Sequence, residues 1–211
     1  MDTPLAKGAN INAQGGYFGT ALQAACYKGN ARLVDLLLKK GADINAQGGY
    51  YGSALQAACS RGYADSVEML LAKGADVHAQ NGYYGNALQA ACYRGSMKIV
   101  KMLLEKGADV NAHGGHYGNA LQAACCHGDE RIINLLLDKD ADVNAAGGYC
   151  GAALQAACEQ GYQHIVEILL RNGADAKIQG GHYGNALQAA CYRGNETVVE
   201  MLLAKDTKDD I

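Results

Sequence analysis

Residues 74–106 read GADVHAQNGYYGNALQAACYRGSMKIVKMLLEK, and this stretch recurs along the chain with few changes. Six copies of 33 residues account for nearly all of the 211 residues. A fixed period of about 20–50 residues is typical of stacked supersecondary units, so the chain is predicted to be a repeat protein. We expect a single domain over residues 1–211, with a polar tail at 206–211 after copies at 8–40, 41–73, 74–106, 107–139, 140–172 and 173–205.

Each copy has the pattern of two short helices followed by a glycine-rich segment. In the third copy, Asn86 is a suitable N-cap for a helix that runs to Arg94 and stops at Gly95. Residues 97–106 form a second helix with one apolar face, and residues 108–118 are typical of a hairpin or extended finger. A unit this small cannot bury its apolar face alone. The pattern therefore predicts an all-α solenoid.

The copies resemble ankyrin repeats over residues 5–205. The resemblance rests on the period, the GADVNA string, the ALQAA helix start, the glycine between the helices and the IVxxLLxxG pattern. It implies helix–turn–helix units with hairpin fingers and a non-catalytic role in protein–protein interaction. Asn-Ala-Leu-Gln stands where the family has Thr-Pro-Leu-His, so the glutamines are expected to replace its hydrogen-bonding histidine: Gln23, Gln56, Gln89, Gln122, Gln155 and Gln188.

A narrower resemblance comes from Gly-Gly-Tyr-Tyr-Gly followed by NALQAACYRG. This pattern is similar to the highly alike ankyrin arrays at the C-terminus of fungal NLR-type (NACHT/NB-ARC) proteins, which act in innate immunity. It implies a ligand-sensing array excised from a receptor, with residues 5–7 as the tail of an earlier helix. Copies this alike also fit an engineered, consensus or ancestral scaffold, or a self-associating structural array without a natural ligand. The sequence leaves these alternatives open.

Composition argues against several other classes of protein. The net charge of −3 differs from the basic charge typical of nucleic-acid binders. No apolar run approaches the roughly 18 residues that span a bilayer, and the N-terminus lacks a secretory pattern. Catalysis needs an irregular cluster of unlike groups in a pocket, whereas these copies repeat the same residues. We expect neither an enzyme nor a cofactor, and a cytoplasmic location.

The cysteines also indicate a reducing compartment. Neighbouring repeats stack about 8–10 Å apart, which exceeds the separation of about 7 Å that a disulfide tolerates between Cα atoms. Cysteines at one equivalent position are therefore expected to be small, buried apolar residues: Cys26, Cys59, Cys92, Cys125, Cys158 and Cys191. Cys126 and Cys150 lie outside this series and are expected at the surface. All eight are predicted to be free thiols.

The main functional pattern is variation confined to the finger tips and first-helix ends, which in ankyrin proteins line a concave groove that holds partners. Tyrosine and arginine are favoured at binding hot spots. We call these positions the Tyr/Arg surface and predict that they bind a protein partner: Tyr17, Tyr27, Lys28, Tyr50, Arg61, Tyr83, Tyr93, Arg94, His116, His127, Tyr149, Glu159, His182, Tyr192 and Arg193. At the nearly uniform second tip position, the tyrosines are interpreted as packing between fingers: Tyr51, Tyr84, Tyr117 and Tyr183.

The sequence also contains residues that suit a zinc ion or a nucleic acid. Ligand types that suit zinc occur together in the fourth copy, at His113, His116, Cys126 and His127, although drift at a variable surface explains them equally well. The cations at Lys28, Arg61, Arg94 and Arg193 could contact phosphates. Their track is interrupted at His127 and Gln160, which argues against nucleic acid.

The end repeats show no polar redesign. The last copy keeps the internal apolar pattern at Val198, Leu202 and Leu203, and the acidic residues after Lys205 are expected to lie beyond the helix. Solenoids usually need polar terminal repeats. Both ends are therefore predicted to be shaped for another repeat, which favours head-to-tail self-association.

Overall fold

The computed structural model describes residues 8–209, with side chains described through residue 204. These residues form two compact units, an N-terminal unit within residues 1–109 and a C-terminal unit within residues 110–211. The predicted stub at residues 5–7 lies outside the described part. The prediction of one domain over the whole chain stays a prediction.

Each unit contains pairs of short helices. In the N-terminal unit these are α1 (Ala21–Lys28), α2 (Ala31–Lys39), α3 (Ala54–Arg61), α4 (Ala64–Ala72), α5 (Ala87–Arg94) and α6 (Met97–Glu105). In the C-terminal unit they are α7 (Ala120–His127), α8 (Glu130–Leu137), α9 (Ala153–Gln160), α10 (Gln163–Arg171), α11 (Ala186–Tyr192) and α12 (Glu196–Asp209). Odd-numbered helices are the first of each repeat and even-numbered helices the second. No β-strand occurs among residues 8–209.

The first helices begin and end where the sequence predicts. Asn86 has extended backbone, and its side chain accepts a hydrogen bond from the backbone N–H of Gln89. Thr20, Ser53, Asn119 and Asn185 cap their helices in the same way, whereas Ala152 makes no side-chain cap. Asp140 stands where the other copies have glycine, and its φ of 61° is the only positive φ of a non-glycine residue in the described part, so the backbone is strained there.

The fingers are tight turns with a single antiparallel bridge, as between Gly48 and Gly52. Adjacent fingers within a unit are joined by backbone hydrogen bonds, including Tyr50 N–H to Tyr17 O at 2.7 Å. Gly82 has a φ of +68°, and a Cβ there would lie 2.5 Å from the backbone nitrogen of Gly52. Glycine at this position therefore permits both the left-handed turn and the close approach of the fingers.

Small residues fill the space between first helices. Helix α3 packs between α1 and α5, and α9 packs between α7 and α11. Ala57, Ala58 and Cys59 are fully buried on α3. Second helices turn varied side chains to solvent, as at Lys98 and Arg131.

Three predictions about cysteines need correction. Cys26, Cys59, Cys92, Cys125 and Cys158 are buried as expected, but Cys191 is exposed. In the other repeats, the following repeat covers the equivalent cysteine. In the last repeat, no described residue covers Cys191. Cys150, predicted at the surface, is buried because it packs on the first helices beside it, and Cys126 is half-buried.

The last repeat differs from the prediction in one respect, which is the end of its second helix. Val198 and Leu202 are buried, at 1% and 3% exposure, because they pack inside their own unit. Leu203 is 49% exposed. Helix α12 continues to Asp209, so residues 206–209 extend the helix rather than follow it. No helix in the described part of the chain is long and apolar enough to cross a membrane.

Candidate functional site

The glutamine predicted to replace the family histidine joins each first helix to the next finger. Nε2 of Gln23 donates to the carbonyl oxygens of Ala46 at 3.2 Å and Gly52 at 3.0 Å. Gln56 and Gln122 each donate to the two equivalent carbonyls in the finger of the repeat that follows them. These side chains satisfy buried carbonyls and hold the fingers in register, so the predicted role is confirmed at these positions.

A second series of inter-repeat bonds was missed in the sequence. Asn45 Nδ2 donates to the Gly74 carbonyl at 3.4 Å, and its Oδ1 accepts from the Asp76 N–H at 2.8 Å. The same pairing is made by Asn12, Asn111 and Asn144. The Asn that recurs in GADVNA could have predicted these bonds. Its side chain carries both a donor and an acceptor, which the carbonyl and the backbone N–H of the next repeat require.

The finger tips of the N-terminal unit form a continuous aromatic stack. The rings of Tyr17 and Tyr50 lie 4.9 Å apart, and those of Tyr50 and Tyr83 lie 4.8 Å apart, both nearly parallel. Partial burial and the neighbouring phenols raise the pKa of Tyr50 to about 12. These tips therefore combine a structural role with an exposed edge, since Tyr17 is 55% exposed.

The second tip position packs beneath this stack. Tyr51 is 5% exposed and lies against the ring of Tyr27 on α1, with centroids 4.8 Å apart. Burial raises the pKa of Tyr84 to about 12, and Tyr84 contacts Tyr93 on α5. The rings of Tyr51 and Tyr84 also stack on each other with centroids 6.3 Å apart, so packing between fingers is confirmed for this pair.

The helix ends of the N-terminal unit carry the exposed part of the Tyr/Arg surface. The guanidinium of Arg61 lies 4.9 Å from the ring centroid of Tyr27, a cation–π contact, and Lys28 Nζ lies 5.7 Å from the same ring. Tyr93 is 37% exposed, and Arg94 beside it is also exposed. These residues form a surface of aromatic and forked cationic groups held by the packing below.

The C-terminal unit repeats the tip stack with histidines in place of two tyrosines. Tyr149 stacks between His116 and His182, with centroid distances of 4.9 Å on both sides. Partial burial lowers the pKa of His116. The neutral ring can then stack on Tyr149 as a tyrosine would.

At the helix ends of this unit, Glu159 is the centre of a polar cluster. Its carboxylate accepts from Tyr183 Oη at 3.1 Å and from Cys150 Sγ at 3.6 Å. Arg193 Nε donates to the Glu159 carbonyl at 3.3 Å. His127 is exposed, and Tyr192 is 69% exposed.

The zinc ligands considered from the sequence do not assemble into a site. Within the described residues, no group of three or more His, Cys, Asp or Glu side chains is placed to hold a metal ion. His113 and His127 are exposed. Cys126 instead contacts Cys150.

The family model described as ankyrin repeats (3 copies) matches residues 3–81, 55–147 and 149–211. The chain belongs to the ankyrin repeat family. The predicted all-α repeat fold is confirmed, and ankyrin repeats mediate protein–protein interaction as non-catalytic modules. No curated protein matches the sequence.

Proposed function

We propose that this ankyrin repeat protein binds a protein partner through its Tyr/Arg surface. One observation carries the proposal: exposed tyrosine and cationic side chains are held against packed aromatic rings, as Arg61 is over the half-buried Tyr27. Because these side chains are already ordered in the free protein, less conformational entropy is lost when the complex forms. Tyrosine supplies contact area with few rotatable bonds, and arginine supplies forked donors for carboxylates or carbonyl groups.

We infer further that the chain is the ligand-sensing array of a fungal NLR-like receptor. Nearly invariant inner positions with variable tips and helix ends suit a sensor, because one scaffold can present different binding residues. The proposed location is the cytoplasm. Buried free thiols such as Cys59 and Cys92 support it, because reducing compartments maintain thiols.

The decisive experiment compares two double variants in a partner capture. The intact chain is immobilised, and proteins retained from a fungal lysate are quantified by mass spectrometry. A retained protein is then purified and its affinity is measured by calorimetry. Changing Tyr93 and Arg94 to Ala is expected to weaken binding by more than about 2 kcal/mol, or roughly 30-fold.

The matched control changes Lys98 and Lys101 to Ala. Both are exposed on α6 but lie outside the Tyr/Arg surface. This variant is expected to bind as the wild type does. Equal losses from the two pairs contradict the assignment of the Tyr/Arg surface. An affinity that falls steeply with salt and is shared by unrelated nucleic acids would indicate phosphate binding instead.

A second candidate function is head-to-tail self-association, favoured by uncovered positions at the end repeats. Leu33 is 39% exposed, whereas its equivalents Ser66 and Ile99 are buried because α2 and α4 precede them. In the last repeat Gln188 and Cys191 are exposed, whereas Gln155 and Cys158 are buried.

The two uncovered faces are chemically complementary. Gln155 Nε2 donates to carbonyls of Ile178 and Gly184 in the following finger. No acceptor for Gln188 Nε2 is found among residues 8–209. The carbonyls of Ala13 and Gly19 occupy the equivalent acceptor positions in the first finger. We propose that these two carbonyls of a second copy of the chain accept the hydrogen bonds that Gln188 Nε2 can donate.

A further inference from the structure

Two thiols outside the buried cysteine series meet between the fourth and fifth repeats. Sγ of Cys126, near the end of α7, lies 3.6 Å from Sγ of Cys150 in the finger before α9. Cys126 is half-buried and Cys150 is 3% exposed. Both are free thiols.

Side chains at these two positions also meet in another pair of neighbouring repeats within each unit. At equivalent positions, the rings of Tyr27 and Tyr51 lie 4.8 Å apart, and Tyr183 Oη donates to Glu159 at 3.1 Å. The contact is therefore a regular feature of repeat stacking, held by the helices and fingers on both sides. Only here does it bring two thiols together.

We propose that Cys126 and Cys150 are a redox-sensitive dithiol that forms a disulfide between adjacent repeats when a low-molecular-weight disulfide, such as glutathione disulfide, is present. A disulfide needs a sulfur separation of about 2.05 Å. The sulfur atoms, now 3.6 Å apart, must therefore approach by about 1.5 Å. The proposal is independent of any partner that the Tyr/Arg surface binds.

The reaction proceeds in two exchange steps. First, the thiolate of Cys126 attacks one sulfur of glutathione disulfide, forms a mixed disulfide and releases one glutathione thiolate. Cys150 then attacks Sγ of Cys126, the protein disulfide forms, and the second glutathione leaves as a thiolate. The two protein thiols lose two protons and two electrons in all, and glutathione disulfide is reduced to two glutathione thiols.

Exposure and hydrogen bonding give the two cysteines different roles. Cys126 is the cysteine that a soluble disulfide reaches first, because Cys150 is covered. Cys150 donates to the Glu159 carboxylate at 3.6 Å, which can accept the thiol proton as the S–S bond forms. The contact with Cys126, burial and Glu159 raise the pKa of Cys150, so its thiolate forms less readily than that of an exposed cysteine and Cys150 is the second of the pair to react.

The test maps the bond in the full-length chain. The protein carries Cys191→Ser, which removes the exposed thiol outside the pair. After incubation with glutathione disulfide, remaining thiols are alkylated and tryptic peptides are sequenced by mass spectrometry. We expect the peptide of residues 107–131 joined to that of residues 140–171, with the bond between Cys126 and Cys150 and not at Cys125 or Cys158. The bond should disappear with dithiothreitol, and the oxidised protein should unfold several degrees above the reduced protein.

Single variants separate the two roles. Cys150→Ser should retain one glutathione on Cys126, because the second exchange cannot occur. Cys126→Ser should acquire no glutathione on the buried Cys150. Thermal unfolding verifies that each single variant is folded. If a variant does not fold, the peptide mapping of the protein that keeps both Cys126 and Cys150 still shows whether the disulfide forms. A mixed disulfide that persists on Cys126 while Cys150 is intact would overturn the proposal. So would two thiols that are alkylated equally with and without glutathione disulfide.

Discussion

Gln23 and Gln188 occupy the same position in the first and last repeats but have different surroundings. The Oε1 atoms of both accept from the N-cap backbone, Thr20 N–H in one case and Asn185 N–H in the other. Only Gln23 is buried, and only its Nε2 donates to carbonyls of the next finger, at Ala46, Gly48 and Gly52. The pair therefore isolates the contribution of the inter-repeat hydrogen bonds.

We expect Gln23→Ala to lower the free energy of unfolding by about 2–3 kcal/mol, because buried carbonyls lose their donor. Gln188→Ala should cost less than about 1 kcal/mol, since it removes only the shared capping bond. Urea unfolding of the full chain, followed by circular dichroism, measures both values. Equal losses would mean that capping, and not the link between repeats, is the main role of the glutamine.

Individual side chains were partly predictable. Periodicity alone indicates which cysteines share a position, and five of the six in that series are buried. Cys191 differs because this cysteine is buried only where a following repeat covers it. Its place within the 33-residue period does not show whether such a repeat follows. Cys150 differs for the opposite reason: the tip position packs inward, and a thiol there is covered as a tyrosine would be.

Helix α9 begins without the side-chain cap that the other first helices have. Ala152 has φ −145° and ψ 167°, almost the conformation of Asn119 at the start of α7, with φ −146° and ψ 180°. Both positions are buried. The backbone is thus already arranged for a capping side chain that Ala152 lacks.

Ala152→Asn should raise the free energy of unfolding by about 1 kcal/mol, because its Oδ1 can accept from the Gln155 N–H. The reverse change, Asn119→Ala, should lower it by a similar amount and is the matched control. Thermal and urea unfolding measure both. A destabilising Ala152→Asn would show that packing at this position outweighs the cap.

The ends of the repeat array lead to a prediction about assembly. If a second copy covers the uncovered faces, the weight-average mass in sedimentation equilibrium should rise with concentration. Leu33→Asp should suppress this rise because it places a charge in the apolar contact, as should a polar capping repeat appended after the last copy. Leu33→Asp acts on exposed surface and should leave the helical content unchanged.

The control is Arg32→Asp, which changes an exposed neighbour on the outer side of α2. It should associate as the wild type does. A monomeric mass up to millimolar concentration, with no effect of Leu33→Asp or of the cap, would exclude self-association through these faces.

The repeat period, helix ends, N-caps and glutamine contacts followed from the sequence, because each depends on residues that recur every 33 positions and on local backbone chemistry. The fold class was predictable for the same reason. The asparagine bonds, the stacking of Tyr17 on Tyr50 and the meeting of Cys126 with Cys150 were not. They join side chains of different repeats, and their distances depend on how the repeats pack. Local propensity determines each repeat, whereas stacking determines which groups of neighbouring repeats come within reach.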